Sequence, residues 1–217
     1  MDWIEKVRGS LRGGPSAAVA PTVGAKPALR HSNGLRELTR AWQREPGLAI
    51  LDLGPTSSAN IGFISNLGHK VLHEDLLMAS ADPRFQHLTE TGPGLDPVAF
   101  LAANLHYPAA SLDGALLWDV LDYVPEAALQ PLVTQLAQTI KPGGMALGYF
   151  HARADPGPSP CVRYHIHDDE HLELRPGAAM PLARALNNRA IERLFSGFRA
   201  IKFFLARDHL REVLVTK

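Results

Sequence analysis

The chain has 217 residues, 46% of them hydrophobic and 20% charged, a size and balance that suit one ordinary globular domain, alone or with an appendage. Twenty-two Lys plus Arg against twenty-two Asp plus Glu give a formal net charge of zero, so no global positive field gathers nucleic acid or acidic lipid. The single cysteine, Cys161, excludes an intrachain disulfide framework and any multi-cysteine zinc or iron–sulfur site, no apolar run approaches the ~20 residues of a membrane span, and a cytoplasmic protein is expected.

Residues 1–12 place Trp3, Ile4, Val7 and Leu11 at helical spacing, a short amphipathic helix that packs on its own domain or meets a protein partner. Residues 13–32 combine three prolines and three glycines with few large apolar side chains, which is linker composition. The ordered domain is expected over 33–217. It opens with a helix capped by Asn33 and carrying Leu35, Leu38, Ala41 and Trp42 on one face.

From Gly47 onward, strand and helix patterns alternate, the sign of a mostly parallel sheet covered on both faces. Leu48 to Leu53 is a continuous apolar run, followed by a helix over Ala59 to Leu67 and a strand from Gly68 to Asp75. Residues 80–97 read as a connection, and Pro97 to Leu105 as a helix. Leu112 to Asp119 is a second apolar run ending in acid. Pro125 then starts a helix with Leu129, Leu132, Val133, Leu136 and Ile140 on one stripe. Lys141-Pro142-Gly143-Gly144 turns into a strand from Met145 to Phe150. Residues 151–181 are proline-rich and read as a long insertion, a functional lid or a disordered loop. A helix over Asn187 to Phe195 precedes two strands, Phe198 to Leu205 and Arg211 to Thr216, joined through 206–209 as a hairpin.

The candidate binding residues sit at strand ends. In an open parallel sheet a nucleotide-like ligand lies where the carboxyl ends of strands meet the amino end of a helix, and Asp52-Leu53-Gly54 occupies that first turn. A second acid, Asp75, follows at the end of the next strand, where a carboxylate can accept both hydroxyls of a ribose; Glu74 is its substitute.

Three stretches carry a family resemblance: LDLGPTSSANIGFISNLGHKVLHEDL, SLDGALLWDVLDYVPEAALQPLVTQLAQTIKPGGMAL and FRAIKFFLARDHLREVLVTK. In order and spacing they resemble the class I S-adenosylmethionine-dependent methyltransferases. The resemblance implies a Rossmann-like, doubly wound, seven-stranded α/β sheet of order 3-2-1-4-5-7-6 with an antiparallel last strand. It implies S-adenosylmethionine as cofactor, with Asp52, Gly54 and Pro55 beside its methionyl part, Asp75 on its ribose, and Trp118-Asp119 facing cofactor and a small-molecule acceptor. Where the acceptor must lose a proton, His151 or a histidine of the insertion can take it. The family's second and third loop glycines are here Thr56 and Ser58, which carry β-carbons where the backbone would approach the ligand. Leu101-Ala102-Ala103 occupies the region of the third-strand acid. A methyltransferase-like protein that has lost catalysis and works through binding, with residues 1–12 as the partner contact, is the second reading.

His165-Ile166-His167-Asp168-Asp169-Glu170-His171 concentrates imidazoles and carboxylates, read as a polar loop or helix start whose residues neutralise one another rather than as a metal site. Cys161 reads as a structural thiol. Arg184, Arg189, Arg193, Arg199 and Lys202 form no run and read as a solvated face.

Overall fold

The computed structural model describes residues 29–89, 92–153, 159–204 and 210–217. The helix expected over 1–12 and the joint over 206–209 lie outside them. The chain runs β1 (Leu29–His31), α1 (Asn33–Trp42), β2 (Ala49–Asp52), α2 (Ser58–Asn66), β3 (Lys70–His73), α3 (Leu76–Ser80), a 3₁₀ turn (Pro83–Phe85), β4 (Gln86–Thr89) and β5 (Gly92–Leu95). It continues α4 (Pro97–Asn104), β6 (Leu112–Trp118), α5 (Val120–Tyr123), α6 (Glu126–Thr139), β7 (Ile140–His151), β8 (Ser159–Ile166), β9 (His171–Met180), α7 (Asn188–Leu194), β10 (Ala200–Phe204) and β11 (Leu210–Thr216).

The central sheet has the order β10-β11-β7-β6-β2-β3, parallel from β7 to β3, with β11 antiparallel to both neighbours. The apolar runs dictate this, because a strand covered on both faces needs apolar side chains at odd and even positions alike. Leu51, Ala115, Leu117, Ala146 and Phe150 enter one core beneath α3 to α7. Their neighbours Ile50, Leu116, Trp118, Leu147 and Tyr149 enter a second core with Leu35, Leu38 and Trp42 of α1 and Ile64 of α2. No helix of the described residues is long and apolar enough to cross a membrane.

Several expectations change. Among the described residues the sheet has six strands rather than seven, its order being the expected one without the third strand. The Leu101-Ala102-Ala103 region lies in α4, and within the stretch read as a connection Gln86–Thr89 and Gly92–Leu95 pair as the β4–β5 hairpin. Gly92, Pro93 and Gly94 explain why it stays out of the central sheet: glycine has no side chain to pack, proline has no N–H to give the ladder, and no apolar run remains for a two-sided core.

The described part of the insertion forms two strands. β8 and β9 pair antiparallel, and β1, from the segment read as linker, adds to β9 to make a three-stranded sheet. Its warrant is the alternation over 163–166, where Tyr164 and Ile166 are buried in the second core and Arg163 and His165 point to the other face. The polar cluster expected as a loop or helix start is the turn of this hairpin. Asp168 accepts from the N–H groups of Glu170 and His171, at 2.9 and 2.7 Å, and closes it. The helix caps fall one residue earlier than the sequence suggests: Ser32 caps α1 through the Leu35 N–H, and Ser57 caps α2 through the Asn60 N–H.

Candidate functional site

Because β2 and β3 are parallel neighbours, their carboxyl ends open on the same side, and the β8–β9 hairpin spans that opening. The result is a cleft of about 740 Å³ between the Pro55–Thr56 loop, Asp75 and the start of α3, and Cys161, Arg163 and the Pro176–Met180 segment of the hairpin. Asp75 stands in its wall. One carboxylate oxygen accepts from the Met78 N–H at 3.1 Å and caps α3; the other makes no hydrogen bond among the described residues.

Asn60 fastens the hairpin over the loop. Its amide donates to Asp52 at 3.0 Å and to the Tyr164 carbonyl at 3.1 Å, and its carbonyl accepts from the Ile166 N–H at 2.8 Å. Ser57 bonds His165 Nδ1 at 2.8 Å, and Arg163 donates to the Thr56 carbonyl at 3.2 Å. Burial and the neighbouring Arg175 and Arg163 hold the His165 imidazole below its usual pKa.

Asp52 faces inward. It is 1% exposed and accepts from Trp118 Nε1 at 2.6 Å, from Asn60, and from the Gly54 N–H at 3.2 Å. Burial pushes its pKa up, against the pull of the Asn60 and Trp118 bonds. Trp118 reaches this position from a left-handed backbone, φ 46°, and its ring stacks on Tyr164 with centroids 5.1 Å apart. The indole lies against Gly54, where a Cβ would stand 2.5 Å from its Cδ1. Gly54→Ala is therefore expected to destabilise the fold by about 1–3 kcal/mol in urea unfolding, because a stacked and hydrogen-bonded ring has no free direction to retreat. An unchanged midpoint would show that the ring is not held there.

Behind the cleft lies an acidic cluster. Asp119 is 2% exposed, and burial pushes its pKa up to about 7, with His151 opposing and Asp122 adding to the rise. Its Oδ2 has no hydrogen bond among the described residues; the Tyr164 hydroxyl interacts with the carboxyl but not in hydrogen-bond geometry. Asp122 accepts from the His151 N–H at 2.6 Å and pairs with His151 Nδ1 at 3.0 Å. Burial and the charge of Asp119 raise the Cys161 thiol, which makes it a poor nucleophile at neutral pH.

No family model and no curated sequence matches this chain. Solved structures do. An S-adenosylmethionine-dependent methyltransferase from Mesorhizobium loti is similar over 82% of this chain and 95% of its own, at 18% identity and a TM-score of 0.47. A TehB-like S-adenosylmethionine-dependent methyltransferase from Corynebacterium glutamicum is similar over 85% of this chain and 87% of its own, at 14% identity and 0.47. The 1,6-didemethyltoxoflavin-N1-methyltransferase of Burkholderia thailandensis, solved with 1,6-didemethyltoxoflavin and S-adenosylhomocysteine, is similar over 86% of this chain and 79% of its own, at 13% and 0.44.

The six residues singled out in the sequence divide into two groups. Pro55 and Asp75 line the cleft. Asp52, Gly54, Trp118 and Asp119 lie buried behind it, the first three bonded or packed against one another. Asn60, Arg163 and Tyr164 escaped the sequence reading. The available signals were a polar Asn60 in the first turn of α2, one turn before Ile64 on the same face, and the period-two pattern of 163–166. The histidines of the insertion disperse: His165 meets Ser57, while His171 pairs with Asp168 at 3.0 Å.

Proposed function

We propose that this chain is an S-adenosylmethionine-dependent methyltransferase acting on a small-molecule acceptor. The observation that carries the reading is Asp75, with an oxygen to spare, in the wall of a roofed cleft at the carboxyl ends of two adjacent parallel strands. That is where a ribose diol is held in folds of this kind, and the volume falls within the range of small-molecule sites.

In this proposal Asp75 holds the ribose, and Pro55 and Thr56 flank the ligand. Asp52, Gly54 and Trp118 shape the loop by bonding to each other rather than to the ligand. The cofactor supplies a sulfonium whose methyl group is already electrophilic. The chain's task is then placement and exclusion of water, which the β8–β9 roof provides. Of the histidines expected to take a proton from the acceptor, His151 pairs with Asp122 behind the cleft, and none of the described histidines lines it. A cytoplasmic setting fits the free Cys161.

A second reading, ligand binding without methyl transfer, is favoured by the indole packed on Gly54 and the full hydrogen-bond complement of Asp52. Calorimetric titration with S-adenosylmethionine and S-adenosylhomocysteine tests both. Micromolar binding is expected, weakened at least about tenfold by Asp75→Ala. Asp75→Asn, which keeps the cap on α3, separates ligand loss from helix loss. No heat at millimolar nucleoside in a folded protein overturns the cofactor assignment, and saturable binding with no methyl transferred to any acceptor of a small-molecule panel supports the second reading.

A further inference from the structure

Resting on the cofactor reading above, we propose that Arg163 of the β8–β9 roof binds the carboxylate of the methionyl group. Early in the loop, the Leu53 N–H goes to the Leu116 carbonyl and the Gly54 N–H to Asp52, and Pro55 has no N–H to offer. Thr56 and Ser58 add β-carbons where a ligand carboxylate would have to meet bare backbone.

Among the described residues, Arg163 is the cation that lines this cleft. Arg30, Arg36, Arg84, Arg175 and Arg184 each pair with a carboxylate, whereas Arg163 forms no ion pair among the described residues. It gives one N–H to the Thr56 carbonyl, and its Nε is buried without a hydrogen bond. A guanidinium whose Nε is buried without an acceptor is stabilised by an incoming anion, and its planar fork matches a carboxylate in two parallel bonds. Arg163 and Asp75 line the same cleft, with Leu77, Met78, Cys161 and Met180 supplying apolar wall. One ligand bearing a diol and a carboxylate satisfies both charges.

The test compares two nucleosides on the full chain: S-adenosylhomocysteine, which carries the carboxylate, and 5′-methylthioadenosine, which lacks the amino-acid part. Arg163→Gln is expected to weaken S-adenosylhomocysteine about tenfold or more and to leave 5′-methylthioadenosine unchanged, with Arg163→Lys between. Equal weakening of both ligands, or of neither, overturns the assignment. Should Arg163→Gln not fold, the wild-type affinity gap between the two ligands decides: it must exist and must narrow as salt rises. A gap indifferent to salt overturns the assignment too. Failure of the wild type to bind either nucleoside overturns the cofactor reading itself, and this inference with it.

Discussion

Replacing Asp119 by Asn is expected to stabilise the protein at pH 8 by roughly 3–4 kcal/mol and to change little near pH 4. The reason is the carboxyl's position, buried behind the cleft with its pKa raised by burial from 3.8 to about 7. Well below pH 3.8 it is protonated in both folded and unfolded chains and costs nothing. Between about 4 and 7 the unfolded chain releases the proton while the folded one keeps it, so stability falls as pH rises. Above about 7 the folded chain carries a desolvated carboxylate and the full penalty. Urea unfolding of wild type and variant at several pH values from 4 to 8 reads this as a converging pair of curves. Asp52 and Asp122 are raised by burial too, so the slope in Asp119→Asn is reduced rather than flat. Parallel curves would mean that water reaches Asp119.

Much of the scaffold was legible because its strands obey one rule. A run such as Ala49 to Asp52 or Leu112 to Trp118 can sit only in the middle of a two-sided sheet, and the glycines and prolines around it mark the turns. The missing third strand was half legible, since nothing over 86–95 has the composition to enter the sheet; family order supplied the strand that composition denied. The hairpin over the cleft was obscured by its prolines, which read as loop. Pro160 and Pro176 sit within its strands, and its register shifts between Pro160 and Val162, where a bulge tolerates the lost donor. The site divides along the same line. Asp75 could be placed from spacing because it follows a strand end, whereas the inward turn of Asp52 depends on Trp118 and Asn60, partners 66 and 8 residues away. Arg163 comes from a distant hairpin, and no local pattern brings it to Thr56.

Glu212→Ala is expected to cost about 3–5 kcal/mol and to weaken ligand binding with it. Glu212 lies on β11, 2% exposed, and accepts from Arg30 at 2.7 Å, the Ser32 hydroxyl at 2.9 Å and the Gly34 N–H at 2.7 Å. Those three belong to β1 and the start of α1, so one carboxylate ties the small sheet to the large one. The Arg30 guanidinium also lies over the Tyr149 ring, 5.2 Å from its centroid, and is 8% exposed. Deleting the carboxylate leaves a buried cation behind, which is far more costly than deleting both charges together. Glu212→Leu with Arg30→Met should therefore recover a large part of the loss, and a double-mutant cycle in urea unfolding measures it. The link to function runs through pairing: β1 supports β9, β9 supports β8, and β8 carries Arg163 into the cleft wall. If the roof orders the ligand, S-adenosylhomocysteine affinity should fall in Glu212→Ala and return in the double variant. Affinity that ignores both changes would separate the roof from binding and leave Glu212 a purely structural residue.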